Sequence, residues 1–131
     1  MNLHLDAIGL VVDDIARSLA FYRQLGFDLP AEADQQPHVE VAMPGGLRLL
    51  WDTVDTVRSF DPDWQPPTGG GHRVALAFAC DTPTEVDAAY DKLVSLGYRG
   101  HQAPWDAVWG QRYAIVEDPD GNAIDLFAPN G

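Results

Sequence analysis

Apolar residues in the first half of the chain follow strand spacing, then helical spacing, then strand spacing again. Residues 7–12 form a short apolar run typical of a strand. Apolar residues at helical spacing from Ile15 onward predict a helix that ends at Gly26. Residues 38–43 and 47–52 predict the two strands of a hairpin. The first half therefore contains a strand, a helix and a hairpin.

The second half repeats this order. Residues 73–80 are apolar and strand-like, and an apolar helical face follows them. Gly97 ends the second helix as Gly26 ends the first. Residues 113–117 and 123–127 predict a second hairpin. The repeat indicates an internal duplication, and one such module alone cannot bury both faces of its sheet.

The repeat divides the chain into two modules and a linker within one domain. Module 1 covers about residues 1–53, and module 2 covers about residues 72–131. The linker, about residues 54–71, is rich in proline and glycine, which rules out regular structure for much of it. A linker of this length permits either a compact monomer or modules that are exchanged between two chains.

Composition excludes several classes of partner. The net charge of −12 argues against nucleic acid, because its phosphates would be repelled. No apolar run is long enough to span a membrane. The N-terminal residues lack the basic and apolar segments of a signal peptide, and the single cysteine, Cys80, cannot form an internal disulfide. We therefore expect a cytoplasmic protein without nucleic-acid or membrane partners.

The chain also lacks the sequence signatures of several catalytic and cofactor sites. No nucleophilic triad, phosphate-binding loop or dinucleotide fingerprint is present, and residues 69–71 precede a strand rather than a helix. None of the four histidines shows a spacing to another ligand that indicates a metal site. His38 and Glu40 share a strand face, but no third ligand is identifiable. The sequence therefore predicts no metal and no cofactor.

Tryptophans are concentrated outside the predicted helices. Trp51 ends a strand, and Trp64 lies in the linker. A predicted loop before the penultimate strand, together with the start of that strand, brings four further candidates to one rim: Trp105, Trp109, Gln111 and Tyr113. Rings in loops indicate ligand contact more often than core packing. The alternative is that these rings close the ends of the fold or pack a dimer interface.

His38 is a further candidate because of the predicted hairpin register. A two-residue turn at Gly45-Gly46 would pair Glu40 with Trp51, which places His38, Glu40 and Trp51 on one face. A register shifted by one residue would separate them. A neutral imidazole there could stack on a planar ligand while it still offers a hydrogen bond.

Two motifs carry a resemblance to a known family. Residues 118–125, Asp-Pro-Asp-Gly-Asn-Ala-Ile-Asp, and residues 14–22 near the start resemble the vicinal oxygen chelate superfamily. Its members include glyoxalases, extradiol dioxygenases and bleomycin-type resistance proteins. The resemblance implies an α+β fold in which two βαβββ modules form a half-barrel around a cavity. It also implies that a homodimer completes the cavity.

The same resemblance bears on enzymatic activity. Enzymes of the superfamily bind a metal through residues that would correspond to Ala7, Ala75 and Asp125. An alanine side chain has no lone pair to donate, so one carboxylate would have to hold the ion alone. The substitutions argue against the usual metal-dependent activity and favour binding without catalysis.

Two stretches narrow the resemblance. Residues 50–65 and 109–116 are similar to mitomycin-binding resistance proteins of antibiotic-producing actinomycetes, which are dimers of exchanged modules that sequester the drug. The resemblance implies that His38 and Trp109 clamp a small planar ligand. The residues expected to enclose it are Trp51, Phe60, Trp105, Gln111 and Tyr113. The predicted function is metal-independent sequestration of a planar aromatic or quinone-type antibiotic.

Two alternatives stay open. One is a lyase, isomerase or dioxygenase of the same superfamily with a non-standard active site, in which Asp125, Glu40 or His38 acts as a base. The other is a protein whose cavity has lost its function and whose loop tryptophans form an assembly interface.

Overall fold

The computed structural model describes residues 1–131, which divide into two compact units, Met1–Thr68 and Gly69–Gly131. The first unit contains three strands and two α-helices. In chain order they are β1 (Ala7–Val12), α1 (Ile15–Gln24), β2 (His38–Ala42), β3 (Arg48–Thr53) and α2 (Val54–Arg58). The strand order is β1-β3-β2, with β1 parallel and β2 antiparallel to the central β3.

Helix α1 forms where the periodicity predicted it, and it covers one face of this sheet. The side chain of Asp14 accepts a hydrogen bond of 2.9 Å from the Arg17 amide, which caps the N-terminus. Gly26 follows the helix with a φ of 101°, a conformation that favours glycine. Residues of α1 and of the strands β1–β3 fill the core of the first unit. Its largest buried side chains are Trp51, Tyr22, Phe21, Leu19 and Val12.

The hairpin between β2 and β3 differs from the predicted register. Its turn has three residues, Pro44–Gly46, and the Met43 amide donates to the Leu47 carbonyl at 2.6 Å. Strand pairing therefore joins Val39 to Trp51 and His38 to Asp52. The prediction of a two-residue turn is wrong, because it missed the residue that Pro44 adds to the loop. That one-residue shift changes the face on which every following side chain lies.

Trp51 is consequently a core residue of the first unit. Its side chain is fully buried, and its ring contacts Tyr22 and Phe27 edge to face at 5.3 and 6.0 Å. His38 and Glu40 lie on the opposite, solvent-facing side of β2. The predicted common face for His38, Glu40 and Trp51 is therefore corrected.

Two further segments of the first unit differ from the prediction. The linker expected from residue 54 begins with the helix α2, where the Thr53 hydroxyl caps the Thr56 amide at 3.1 Å and Val57 is buried. Residues 31–35 form a 3-10 helix, so this unit has the order βαββ rather than βαβββ. The Ala33 amide donates to the Pro30 carbonyl and the Gln36 amide donates to the Ala33 carbonyl, each at 3.0 Å, and these bonds form the turn.

The second unit has the full βαβββ order. Its elements are β4 (Ala75–Ala79), α3 (Pro83–Ser95), β5 (Gly100–Asp106), β6 (Gln111–Glu117) and β7 (Ala123–Pro129). The sheet order is β4-β7-β6-β5. Two side chains cap the start of α3. The Thr82 hydroxyl at the N-cap accepts from the Glu85 amide at 3.2 Å, and the Glu85 carboxylate accepts from the amide of Asp81, the preceding residue, at 2.9 Å. No helix of the chain is long and apolar enough to cross a membrane.

Strand β5 replaces part of a predicted loop. Residues 100–106 pair antiparallel with β6, although the register shifts twice along the pair. Trp105 therefore lies in a strand, and Trp109 lies in the turn that joins β5 to β6. The prediction of a loop is wrong for Trp105, because Pro104 and the irregular pairing hide the strand pattern.

The two faces of the second sheet differ in what covers them. On β6, Ala114 and Val116 are completely buried, and the Arg112 guanidinium binds Asp87 of α3 at 2.9 Å, so even-numbered residues face that helix. The alternate residues form the other side, which we call the open face. On β6 and β7 it comprises Gln111, Tyr113, Ile115, Glu117, Asp125 and Phe127. Asp125 and Phe127 lie on this side because side chains alternate between the two faces along β7.

The position of Trp51 predicts a large loss of stability on truncation. We expect Trp51→Ala to lower the free energy of unfolding by about 3–5 kcal/mol, because it leaves a large cavity in the core of the first unit. Phe60→Ala is the matched control, since Phe60 belongs to the same unit and is 72% exposed. That change should cost less than about 1 kcal/mol. Urea unfolding followed by circular dichroism measures both, and equal small losses would contradict the core assignment.

Candidate functional site

Four aromatic rings meet on the open face of the second sheet. We call Trp105, Trp109, Tyr113 and Phe127 the aromatic cluster. Trp105 and Trp109 contact Tyr113 edge to face at 5.5 and 5.4 Å, and their own centroids lie 6.2 Å apart. Phe127 stacks on Tyr113 at 6.2 Å with 24° between the ring planes. Three residues predicted from sequence are therefore brought together, and β7 adds a fourth ring.

A tight turn presents Trp109 to solvent. The Gly110 amide donates to the Ala107 carbonyl at 3.0 Å, and the Ala107 amide donates to the Gln111 carbonyl at 2.8 Å. Gly110 has a φ of 90°, which a residue with a side chain would adopt only under strain. The indole N–H of Trp109 donates to Gln111 Oε1 at 2.8 Å, yet 58% of the residue is exposed. The ring is held in place while much of its surface stays accessible.

Asp125 and Tyr113 form a polar pair beside these rings. The Tyr113 hydroxyl donates to Asp125 Oδ2 at 2.5 Å. Burial, followed by the hydrogen bond to Asp125 and its negative charge, raises the pKa of Tyr113 to about 12. Tyr113 is therefore a neutral phenol at physiological pH, and its ring offers an apolar face rather than a base.

His38 lies in the first unit within a chain of charged groups. Its ring nitrogens bind Glu40 at 2.8 Å and Asp52 at 2.5 Å. Arg48 in turn binds Glu40 at 3.1 Å and Asp6 at 2.7 Å. The hydrogen bond to Glu40, followed by that to Asp52, raises the pKa of His38. These two carboxylates stabilise the protonated form of the ring relative to the neutral form.

The remaining predicted contacts are dispersed in the first unit. Phe60 follows α2 and is exposed, whereas Trp51 is in the core. His38 and Glu40 line a cavity of about 320 Å³ together with Leu29 and Pro30. A larger cavity of about 860 Å³ has a mixed polar and apolar lining, which includes Asp13, Asp55 and Val54. Neither cavity is lined by Trp51 or Phe60. That His38 and Trp109 clamp a planar ligand stays a prediction.

Sequence reasoning missed a second cluster in the second unit. His72, His101 and Glu117 bring three potential ligand atoms within 4.8 Å of one another. His72 precedes β4, His101 lies in β5, and Glu117 ends β6. No local spacing signals such a site, because each residue comes from a different element and β5 was predicted as a loop.

Comparison with known proteins places this fold in a family. Residues 4–126 match the Glyoxalase/Bleomycin resistance protein/Dioxygenase superfamily. The chain belongs to this superfamily. It is 30% identical over 126 residues to uncharacterized proteins of Mycobacterium bovis and Mycobacterium tuberculosis. These alignments cover 92% of this chain and 80% and 71% of the two relatives.

Solved structures of the superfamily share the fold. A glyoxalase/bleomycin resistance protein/dioxygenase family enzyme from Burkholderia phytofirmans has a TM-score of 0.78 at 20% identity, over 97% of this chain and 99% of that one. A glyoxalase/bleomycin resistance protein/dioxygenase from Nocardioides has a TM-score of 0.73 at 23% identity, over 98% and 85%. The α+β class is thereby confirmed. The closer resemblance to mitomycin-binding proteins stays a prediction.

The superfamily's metal does not fit the residues that this chain offers at the corresponding positions. Ala7 and Ala75 carry no donor atom. Asp125, the third position, already accepts the Tyr113 hydroxyl through Oδ2. No step of a reaction can be assigned to a metal held there.

The pair of Tyr113 and Asp125 predicts a late tyrosine titration. Because the folded-state pKa is raised from 10 to about 12, the stabilisation is complete below about pH 10 and is lost as the pH rises towards 12. We expect the Tyr113 phenol to ionise late in absorbance at 295 nm, and Tyr113→Phe to remove its contribution at high pH. A high-pH titration that is unchanged in Tyr113→Phe would contradict the assignment.

Proposed function

We propose that this chain is a metal-independent binding protein for a planar aromatic or quinone-type small molecule, and that it acts by sequestration. The observation that carries the proposal is the aromatic cluster on the open face, with Trp109 exposed yet fixed by its hydrogen bond to Gln111. An exposed ring held in place beside half-buried rings offers stacking surface at a low entropic cost.

The energetics of stacking support such a ligand. Each well-formed aromatic pair adds about 0.5–1.5 kcal/mol beyond the area that it buries. Contacts with Trp105, Trp109 and Tyr113 together would make micromolar affinity attainable, which corresponds to about −8 kcal/mol. The Gln111 amide nitrogen can still donate, since Trp109 uses the amide oxygen. A carbonyl group on the ligand, as in a quinone, would accept that hydrogen bond.

Sequestration requires no chemical step from the protein. Binding protects by mass action, so the protein must be present in amounts comparable to the ligand. Alanines at positions 7 and 75 agree with this, because they remove the donors that the superfamily's enzymes need. Resistance to an antibiotic by binding is the biological role that we propose.

A homodimer, with or without exchanged modules, is part of the proposal. Val108 is fully exposed next to Trp109 in the same turn, which is an unusual position for two apolar side chains. If this chain sequesters a ligand, these two side chains would lie at the ligand site and its rim. If it has an assembly role alone, the same turn would form the interface between chains.

Ligand titration with matched tryptophan variants tests the proposal. We expect mitomycin-type quinones, or a bleomycin-type glycopeptide, to quench tryptophan fluorescence saturably in the presence of EDTA. Trp109→Ala should weaken binding at least about tenfold, because it removes the most accessible ring of the cluster. Trp64→Phe is the control, since Trp64 lies in the first unit over Arg58. His38→Gln tests the predicted clamp.

Other outcomes would contradict this function or indicate a different one. Absence of saturable quenching with both compound classes would contradict sequestration of these ligands. Intact binding in Trp109→Ala together with a changed sedimentation coefficient would indicate the assembly role. Chemical conversion of the bound compound would indicate an enzyme with a non-standard site.

A further inference from the structure

We propose that His72, His101 and Glu117 form a binding site for a divalent transition metal such as Zn²⁺. The three side chains converge at the end of β6 in the second unit. This site uses none of the three positions at which the superfamily's enzymes hold their metal. It is also independent of the aromatic cluster, whose ligand binding we propose to be metal-free.

The distances between donor atoms suit a small ion. Glu117 Oε2 lies 3.1 Å from His72 Nε2 and 3.5 Å from His101 Nδ1. Ligand atoms around a tetrahedral Zn²⁺, at bond lengths of about 2.0–2.1 Å, lie about 3.4 Å apart. The two distances to the carboxylate are therefore already close to this value, and no pair of donor atoms exceeds 4.8 Å. Movements of about 1 Å or less would complete the arrangement.

The donor types match the class of metal. Two imidazole nitrogens and one carboxylate oxygen suit first-row transition ions such as Zn²⁺ better than Ca²⁺ or Mg²⁺, which prefer oxygen ligands. Three protein ligands leave a fourth position for water or for a ligand atom. The His101 side chain is 44% exposed, so solvent can reach that position. The net charge of −12 also raises the local concentration of cations.

The carboxylate is oriented by its surroundings. The Glu117 side chain is only 14% exposed, and its backbone amide donates to the Arg99 carbonyl at 2.9 Å. The Arg99 guanidinium lies 3.8 Å from Oε1, on the oxygen that neither histidine approaches. Oε2 is thus left to face both imidazoles. Outer contacts of this kind orient ligating carboxylates in metal sites.

The histidines have room to adjust. His72 directly follows residues 69–71, three glycines of which Gly69 and Gly71 have positive φ values. His101 lies at a register shift of β5, between Gly100 and Gln102. The two ring centroids lie 5.0 Å apart with 80° between the ring planes, so the imidazoles do not stack face to face. The alternative without a metal is that both rings only hydrogen-bond to Glu117.

Metal titration of tag-free, EDTA-stripped protein tests the site. We expect one equivalent of Zn²⁺ by calorimetry, and one equivalent of Co²⁺ with visible ligand-field absorption. His72→Gln, His101→Gln and Glu117→Gln should each weaken Zn²⁺ binding at least about tenfold, since each removes one of three metal bonds. His38→Gln and His4→Gln are the matched controls and should bind like the wild type. Circular dichroism verifies that each variant is folded.

Three results would overturn the site. The first is that the wild type binds no stoichiometric Zn²⁺. The second is that Zn²⁺ binding is unchanged in all three ligand variants. The third is that His38→Gln loses Zn²⁺ binding while His72→Gln retains it. The last result would place the metal on the carboxylates around His38. Because the quinone titration is done in EDTA, it succeeds or fails independently of this one.

Discussion

The packing of α3 on one face of the second sheet determines where both candidate sites lie. Strand β6 is central to them, with β5 on one side and β7 on the other. Its residues Arg112, Ala114 and Val116 face the helix, so the alternate residues are directed to the open face. Tyr113 and Glu117 are four residues apart on that face, which corresponds to about 13 Å along the strand. One strand thus contributes to the aromatic cluster at one end and to the histidine–glutamate cluster at the other.

The spacing of apolar residues along the sequence predicted the helices and strands in which that spacing is regular. Helices α1 and α3 and strands β1, β4, β6 and β7 follow directly from it. Strand β5 does not, because Gly100, Pro104 and two register shifts interrupt its pairing pattern. The β2–β3 hairpin was predicted, but its register depended on whether Pro44 belongs to the turn. The conformation of that one residue moved Trp51 from the expected ligand face to the core.

Site residues that lie close together in the sequence could be predicted, whereas those that lie far apart could not. Trp105, Trp109, Gln111 and Tyr113 lie within nine residues, so any tight connection between two strands brings them together. The second cluster is different, because the sheet order β4-β7-β6-β5 is needed to bring its members together from distant parts of the chain: His72, His101 and Glu117. The contact between His38 and Asp52 was equally inaccessible, since it depends on the hairpin register.

The central claim is that the open face of the second sheet binds a planar ligand through the aromatic cluster. The most direct measurement is a two-dimensional ¹H–¹⁵N spectrum of the four indole N–H groups during titration with a mitomycin-type quinone. The account predicts saturable shifts for Trp105 and Trp109, with the buried Trp51 signal unchanged. Shifts confined to Trp51 or Trp64, or no shift of any indole signal, would contradict it.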